Sequence, residues 1–452
     1  MNENKMGIMP VNKLLLTMAA PMILAMLVGA MYNVVDSLFV SNYSEDALTA
    51  VSLAFPIQNI IIAIGTGLGV GVNTLLSRFL GEKRQEDVNK TALHGLLTGV
   101  IFYIAVLLFG LFLVKPFYLI QTAEADIVNM GVEYLTIICI FGFGQMFQLI
   151  FEKLLQSTGR TAYTMGTQLA GAVINIILDP IFIFGYFGFP KMGTAGAAVA
   201  TVTGQIVAML LGIYFNLTRN KEICFSLKGF HIETRYLSGI CAVGIPTIIM
   251  QSMTSVMSFG VNKLLLGFST TATAVFGAYF KLQTFVYMAI FGLNNALIPI
   301  VAFNAGCRKT DRIKKAIVLA GIYSAAIGLV GTVILQLWPT AIMKAFNPSD
   351  SMLEMGVTAL RILSLAFVFG GITVMISYAL QGFSRGFSSL VISAARQVIV
   401  LLPMAWILGK RMGINGIWWS FLIAEVVVMV AALWFIRRVQ KAECEKLVNS
   451  PH

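Results

Sequence analysis

Acidic side chains are scarce in the apolar stretches of this chain, and three of them, Asp36, Asp179 and Glu425, lie deep within such stretches. An ionisable group held out of water is costly unless it is paired, so its presence in an apolar run marks a functional site by default. Asp36 stands in YNVVDSLFV and Asp179 in INIILDPIF. Asn175 precedes Asp179 by four residues, which puts both on one face of a helix. Pro180 follows at once; it has no backbone N–H and so frees the carbonyl four residues earlier. A carboxylate, an amide oxygen and a loosened carbonyl are hard oxygen ligands, suited to H+ or Na+ and not to a transition metal. Burial and a like-charged neighbour both favour the protonated form of a carboxylate, which suits a group that loads and releases a proton. The plainer reading is that Asn175 and Asp179 only hydrogen-bond along a kinked helix.

Other charged groups in apolar surroundings carry weaker signals. Glu425, in FLIAEVVVM, has no evident partner, and a helix-packing hydrogen bond is expected for it. Lys281 falls in the middle of an apolar run, where it either lines a cavity or is a snorkelling or paired lysine. Arg396 is expected to snorkel towards the cytoplasmic side, and Lys263 and Arg361 to lie at the outer interface. The five cysteines show no metal-type spacing, and Cys139 and Cys241 read as small buried hydrophobes. Together with three dispersed histidines this implies no metal centre and no cofactor. The run GTGLGVG at 65–71 is not a dinucleotide fingerprint, because Val70 and Val72 stand where a third glycine is needed and no strand precedes it. Its small residues instead allow close helix approach. There is no GxxxxGK[ST] motif, so no ATP hydrolysis and no ATPase subunit is implied. No nucleophile with catalytic company is present, and an enzyme is not expected.

The elements that must position these residues follow from composition. Of 452 residues 58% are hydrophobic and 11% charged, against roughly 25% charged in a soluble domain. A bilayer core accepts such a chain as helices of ~20 apolar residues. Apolar runs place spans near 14–40, 49–79, 91–115, 127–151, 162–185 and 194–217, then near 236–267, 272–304, 313–338, 353–382, 387–409 and 414–437. The stretch Met1–Val11 does not read as a cleavable signal. With the N-terminus inside, 22 of the 31 Lys and Arg are cytoplasmic, among them Lys153 and Arg160 after the fourth span and Lys228 in the central loop. Five fall outside: Lys115, Lys191, Lys344, Lys410 and Arg411. This fits the positive-inside rule with both termini cytoplasmic, so the net charge of +11 reflects topology and an anionic inner leaflet, not a nucleic-acid partner.

The two sets of six spans are in register. A shift of 225 residues lays Pro21 on Pro246, Phe55 on Phe280, Gly67 on Gly292, Gly81 on Gly306, Gln156 on Gln381 and Arg160 on Arg385. An even number of spans per half makes the repeats parallel, the design of transporters that bind cargo between two rocking halves. The expected organisation is an amino-terminal lobe (residues 1–217), a cytoplasmic linker (218–235), a carboxy-terminal lobe (236–440) and a tail (441–452). Asp36 falls on Val261 under the shift, so any coupling site belongs to the amino-terminal lobe alone.

The chain resembles the multidrug and toxic compound extrusion (MATE) family over about 14–440. The resemblance rests on AAPMILAMLVGAMYNVVDSLFVS, GLGVGVNTLLSRFLGEK, NIILDPIFIFG, MGTAGAAVAT and LQGFSRG. It implies an all-helical membrane protein of twelve spans in the plasma (inner) membrane, working as a monomer. Its implied activity is export of small, cationic, lipophilic compounds against H+ or Na+. It assigns the ion site to Asp36, Asn175, Asp179 and Thr201, and it makes Tyr32, Asn33, Gln251 and Lys281 candidates for lining a substrate cavity. Family members with an ion site in the second lobe carry acids in the seventh and tenth spans. Here Gln251 stands near the first of those places and no carboxylate lies between Arg361 and Gln381, so the resemblance is to the branch with its acids in the first lobe. A flippase for lipid-linked precursors is the alternative on the same fold; it would call for a strongly basic cavity, and the basic groups within spans are few. A membrane receptor or scaffold is the alternative from another class.

Overall fold

The computed structural model describes residues 4–226 and 230–449, so Lys228 lies outside the described residues. The described residues are helical almost throughout and contain no strand. In the first half the helices are α1 (Lys5–Ile8), α2 (Val11–Tyr43), α3 (Glu45–Gly81), α4 (Gln85–Phe112), α5 (Val114–Gln121), α6 (Ala125–Ile140), α7 (Phe143–Ser157), α8 (Thr161–Phe184) and α9 (Thr194–Thr218). In the second they are α10 (Thr234–Leu266), α11 (Thr270–Gly306), α12 (Thr310–Leu337), α13 (Pro339–Lys344), α14 (Asp350–Ser364), α15 (Ala366–Gly382), α16 (Gly386–Ala394), α17 (Leu401–Met412) and α18 (Ile414–Asn449). Ten helical stretches among the described residues are long and apolar enough to cross a bilayer, α16 and α17 forming one of them. Two bent pairs, α6 with α7 (41°) and α14 with α15 (42°), bring the number to twelve. Large apolar side chains such as Leu108, Phe112, Leu329 and Val430 are exposed on these helices, as lipid-facing residues must be.

The repeat seen in the sequence is written into the backbone. Ser44 caps α3 by accepting from Ala47 N at 3.0 Å, and Ser269 caps α11 by accepting from Ala272 N at 3.0 Å. Lys83 (φ 59°) and Arg308 (φ 58°) turn the chain into α4 and α12 through the same left-handed conformation. The fourth and tenth spans differ from the single helices expected of them. Each is broken, near Phe141–Gly142 and at Leu365, where no proline announces the bend. A second difference concerns Lys153, read from the sequence as a loop residue. It lies within α7, 4% exposed, with its Nζ donating to Gln156 Oε1 at 2.9 Å.

Residues 24–248 form one compact unit, and residues 1–23 with 249–452 form the other. In the first unit a core around Tyr118, Tyr134, Leu135 and Met146 joins α3, α5, α6 and α7. The glycine run of α3 lets α7 and α10 come close. A Cβ on Gly65 would lie 2.8 Å from Leu149 Cδ1, and one on Gly71 would lie 2.2 Å from the Ile240 carbonyl oxygen. The segment leading into α10 is strapped to α4. Asp87 accepts from Arg84, Arg235 and Tyr236, while His94 Nε2 accepts from Glu233 N at 2.9 Å. With that nitrogen used as an acceptor, His94 Nδ1 carries the proton and donates to the Lys90 carbonyl at 2.7 Å. Lys90 Nζ also meets Glu233 Oε1 at 2.9 Å, and this hydrogen bond holds the Glu233 carboxyl below the usual range.

The second unit repeats the device with the chain's own beginning. Arg312 Nη2 donates to the carbonyls of Met6 (2.9 Å) and Met9 (2.7 Å), and Lys309 Nζ to that of Gly7 (2.9 Å), so α1 is held on the turn between α11 and α12. The core of this unit gathers Phe276, Tyr279, Phe367 and Trp418.

Candidate functional site

Asp36 is on α2, Asn175 and Asp179 on α8, and Thr201 on α9. Small residues set the spacing of the last two helices. A Cβ on Gly171 would lie 3.0 Å from the Gly204 carbonyl oxygen, and one on Gly204 would lie 2.6 Å from the Gly171 carbonyl oxygen. That closeness brings Asn175 against Thr201: its Nδ2 donates to Thr201 Oγ1 at 3.2 Å and, more weakly, to Asp179 Oδ1 at 3.4 Å. Asp179 is fully buried, Asn175 and Thr201 nearly so, and Asp36 half-buried. The carboxyl groups of Asp36 and Asp179 come within hydrogen-bonding reach of each other.

With the Asn175 amide nitrogen engaged, its Oδ1 has no donor; neither do Asp179 Oδ2 and Asp36 Oδ1, and all three oxygens are buried. Buried acceptors left without donors are expensive. Two ionised carboxylates at this separation also repel, so the arrangement calls for a proton or a small cation among them. Tyr32 is within hydrogen-bonding reach of Thr201 and so stands at the edge of this cluster. Sequence reasoning missed Tyr134 and Gln58. Tyr134, near Asp36, is 2% exposed, and its hydroxyl accepts from Gln58 Nε2 at 2.8 Å. The usable signal was the need of a buried tyrosine hydroxyl for a polar partner.

Asn33 is exposed on α2 and donates to the Gly29 carbonyl at 3.0 Å. Gln251 on α10 is half-buried and Lys281 on α11 exposed, and neither has a side-chain hydrogen bond or ion pair among the described residues. No group of three or more His, Cys, Asp or Glu able to hold a metal occurs among the described residues. The cysteines at 139, 224, 241 and 307 are free.

One expectation is corrected in the second unit and one is met. Arg396 does not snorkel, and Glu425 makes the interhelical hydrogen bond expected of it: Arg396 Nη1 donates to Glu425 Oε1 at 3.1 Å, with both side chains largely buried. An arginine this far from either end of its span finds its counter-charge on a neighbouring helix more cheaply than at the interface.

Two repeats of six spans with polar groups buried inside them define a multi-pass membrane protein. The family model MatE matches residues 21–181 and again 246–407, the two matches beginning 225 residues apart, the shift that lays Pro21 on Pro246, and the chain belongs to that family. It is 25% identical over 433 residues to the FAD transporter of Shewanella oneidensis, with 95% of each chain covered. It is 26% identical over 419 residues to the multidrug export protein MepA of Staphylococcus saprophyticus, with 92% of each chain covered. Among solved structures, the outward-facing conformation of a multidrug resistance MATE family transporter matches with a TM-score of 0.93 at 24% identity, over 98% of this chain and 99% of the other. A MOP superfamily transporter from Pyrococcus furiosus, described as having a binding pocket of reversed polarity, matches with a TM-score of 0.90 at 24% identity, over 99% and 98%.

Proposed function

We propose that this protein is an antiporter that exports cationic, lipophilic compounds in exchange for H+ or Na+. The observation that carries the reading is the set of three donorless buried oxygens on Asp36, Asn175 and Asp179. A proton shared by the two carboxyl groups, or a Na+ among the three oxygens with Thr201 Oγ1 beside them, would satisfy all of them. Either cation removes the negative charge that attracts a cationic cargo, so ion and cargo alternate at one electrostatic site. The two lobes, residues 1–217 and 236–440, rock about their joint as the site empties and fills. Tyr32 and Asn33 on α2, with Gln251 on α10 and Lys281 on α11, are the polar side chains offered to cargo, and one chain suffices for the cycle.

The named relatives carry two kinds of cargo, drugs and a flavin dinucleotide. The paired acids favour the cationic kind for the amino-terminal site. A flippase of lipid-linked precursors is disfavoured, because Lys281 and Arg396 are few charges for holding a pyrophosphate.

The deciding experiment is ethidium efflux from proteoliposomes under a pH gradient and a Na+ gradient imposed separately. Wild-type protein responds to one of them, whereas Asp36→Asn, which mimics a permanently loaded site, shows no gradient-driven efflux. Full gradient-dependent efflux by that variant would remove Asp36 from the mechanism.

A further inference from the structure

Arg396 lies in a five-residue π-helical turn, Ala395–Ile399, between α16 and α17. Such turns break the regular ladder inside a helix and recur at functional sites. Only one end of the guanidinium is occupied. Nη1 donates to Glu425 Oε1 at 3.1 Å and reaches the Tyr287 hydroxyl at 3.5 Å. The Nε–H and both Nη2–H groups have no partner among the described residues, and neither nitrogen is among the sealed, unpartnered atoms. The Nε/Nη2 edge is the planar fork that takes a carboxylate through two parallel hydrogen bonds. An ion pair that served packing alone would close its donors, since a buried charge repays its desolvation only when its hydrogen bonds are made. An open guanidinium edge facing lipid is costlier still.

The surroundings add two features. Glu425 Oε2 is buried and has no donor. The wall beside the pair is aromatic: Tyr287 lies under the guanidinium, 5.6 Å from its carbon to the ring centre, and Phe291 packs against Tyr287 and stacks on Tyr378. Gly370 leaves the room this needs, because a Cβ there would lie 2.1 Å from the Tyr287 hydroxyl and 3.1 Å from Glu425 Oε1.

The geometry points to the Nε/Nη2 edge of Arg396 as a binding site for the carboxylate of an amphoteric aromatic cargo. Glu425 serves as the built-in counter-ion of that arginine. The inference rests on reading the protein as a carrier of small lipophilic molecules, and it extends the cargo from cations to zwitterions. It is separable from the coupling site, because equilibrium binding needs no ion gradient.

The test is fluorescence polarisation of the purified full chain with rhodamine B, which carries a free carboxylate, and with its ethyl ester, which does not. The double variant R396Q/E425Q removes both charges without leaving either one stranded. It is expected to weaken binding of rhodamine B roughly tenfold and to leave the ester within about twofold, the selective loss that one bidentate contact gives. R396K keeps the charge and its pairing but not the planar edge, and is expected to show the same selectivity to a lesser degree. It carries the test alone if the double variant does not fold. Equal losses for both dyes, or no loss for either, would overturn the proposal. So would displacement of rhodamine B by phosphatidylglycerol added to the micelles, which would assign the edge to a lipid phosphate.

Discussion

Asp36 and Asp179 bring their carboxyl groups within hydrogen-bonding reach of each other, although α2 and α8 are formed from distant parts of the chain. Two carboxyl groups can share such a contact only with a proton or a metal ion between them. On the proposed reading, occupancy of this pair by a small cation sets the charge that the amino-terminal site presents.

Thr201→Val keeps the shape of the side chain but removes the oxygen that accepts from Asn175 Nδ2 at 3.2 Å. The amide is then free to turn away from the carboxyl pair. A hydrogen bond between neutral groups contributes ~1 kcal/mol. The H+ or Na+ concentration for half-maximal dye efflux should therefore rise about fivefold. An unchanged ion dependence would place Thr201 outside the cluster's work.

Gly71→Ala puts a methyl group 2.2 Å from the Ile240 carbonyl oxygen, which is backbone and cannot swing aside. Overpacking of this kind costs ~1–3 kcal/mol, so the melting temperature in detergent should fall by several degrees. Gly277→Ala is the control. Nothing lies within 4 Å of its added Cβ, and its melting temperature should hold or rise slightly, because alanine favours a helix.

Much of this arrangement was legible in the residues themselves. Apolar runs located the spans; Asp36 and Asp179 were singled out because acids are so rare in such runs, Asn175 by its place four residues before Asp179, and Thr201 only through the family resemblance, and the four are found together. What was not legible depends on contacts between helices. Nothing local ties Arg396 to Glu425, since the two stand on different spans and no spacing rule connects them. Lys153 read as a loop residue because charge is the usual mark of a loop, yet Gln156 one turn along absorbs its ammonium group. The bends near Phe141 and Leu365 carry no proline, and so left no trace in the pattern.

Asp87→Ala should loosen the segment that enters α10. Arg84, Arg235 and Tyr236 lose their shared acceptor. Arg235 is largely exposed and screened, so the loss should be about 1–2 kcal/mol. It is read as a lower melting temperature and as faster hydrogen exchange at Tyr236. Acid should act on the same strap through Glu233. Its carboxyl is held low by Lys90, so the contact is complete above the ordinary carboxylate range and is lost only as pH falls through that lowered value. Loosening that begins at neutral pH would contradict this assignment.

Arg312→Ala removes the hydrogen bonds to the Met6 and Met9 carbonyls. With α1 released, trypsin should cut at Lys5 and Lys13 within minutes under conditions where the wild-type amino terminus persists. Equal cleavage rates would show that Lys309 and Asn304 hold α1 without Arg312.

The division of the molecule at residues 23/24 and 248/249 falls inside α2 and α10, at positions that match under the 225-residue shift. A chain severed in the 218–235 segment would therefore yield two fragments that are each incomplete. The first would lack the opening turns of α10, whose Tyr236 and Ile240 pack among Val72, Leu76 and Phe79. The second would lack α1 and the start of α2. Neither fragment is equipped to stand by itself, and each holds the piece the other needs, so the severed protein should be recovered only when both are made in the same cell.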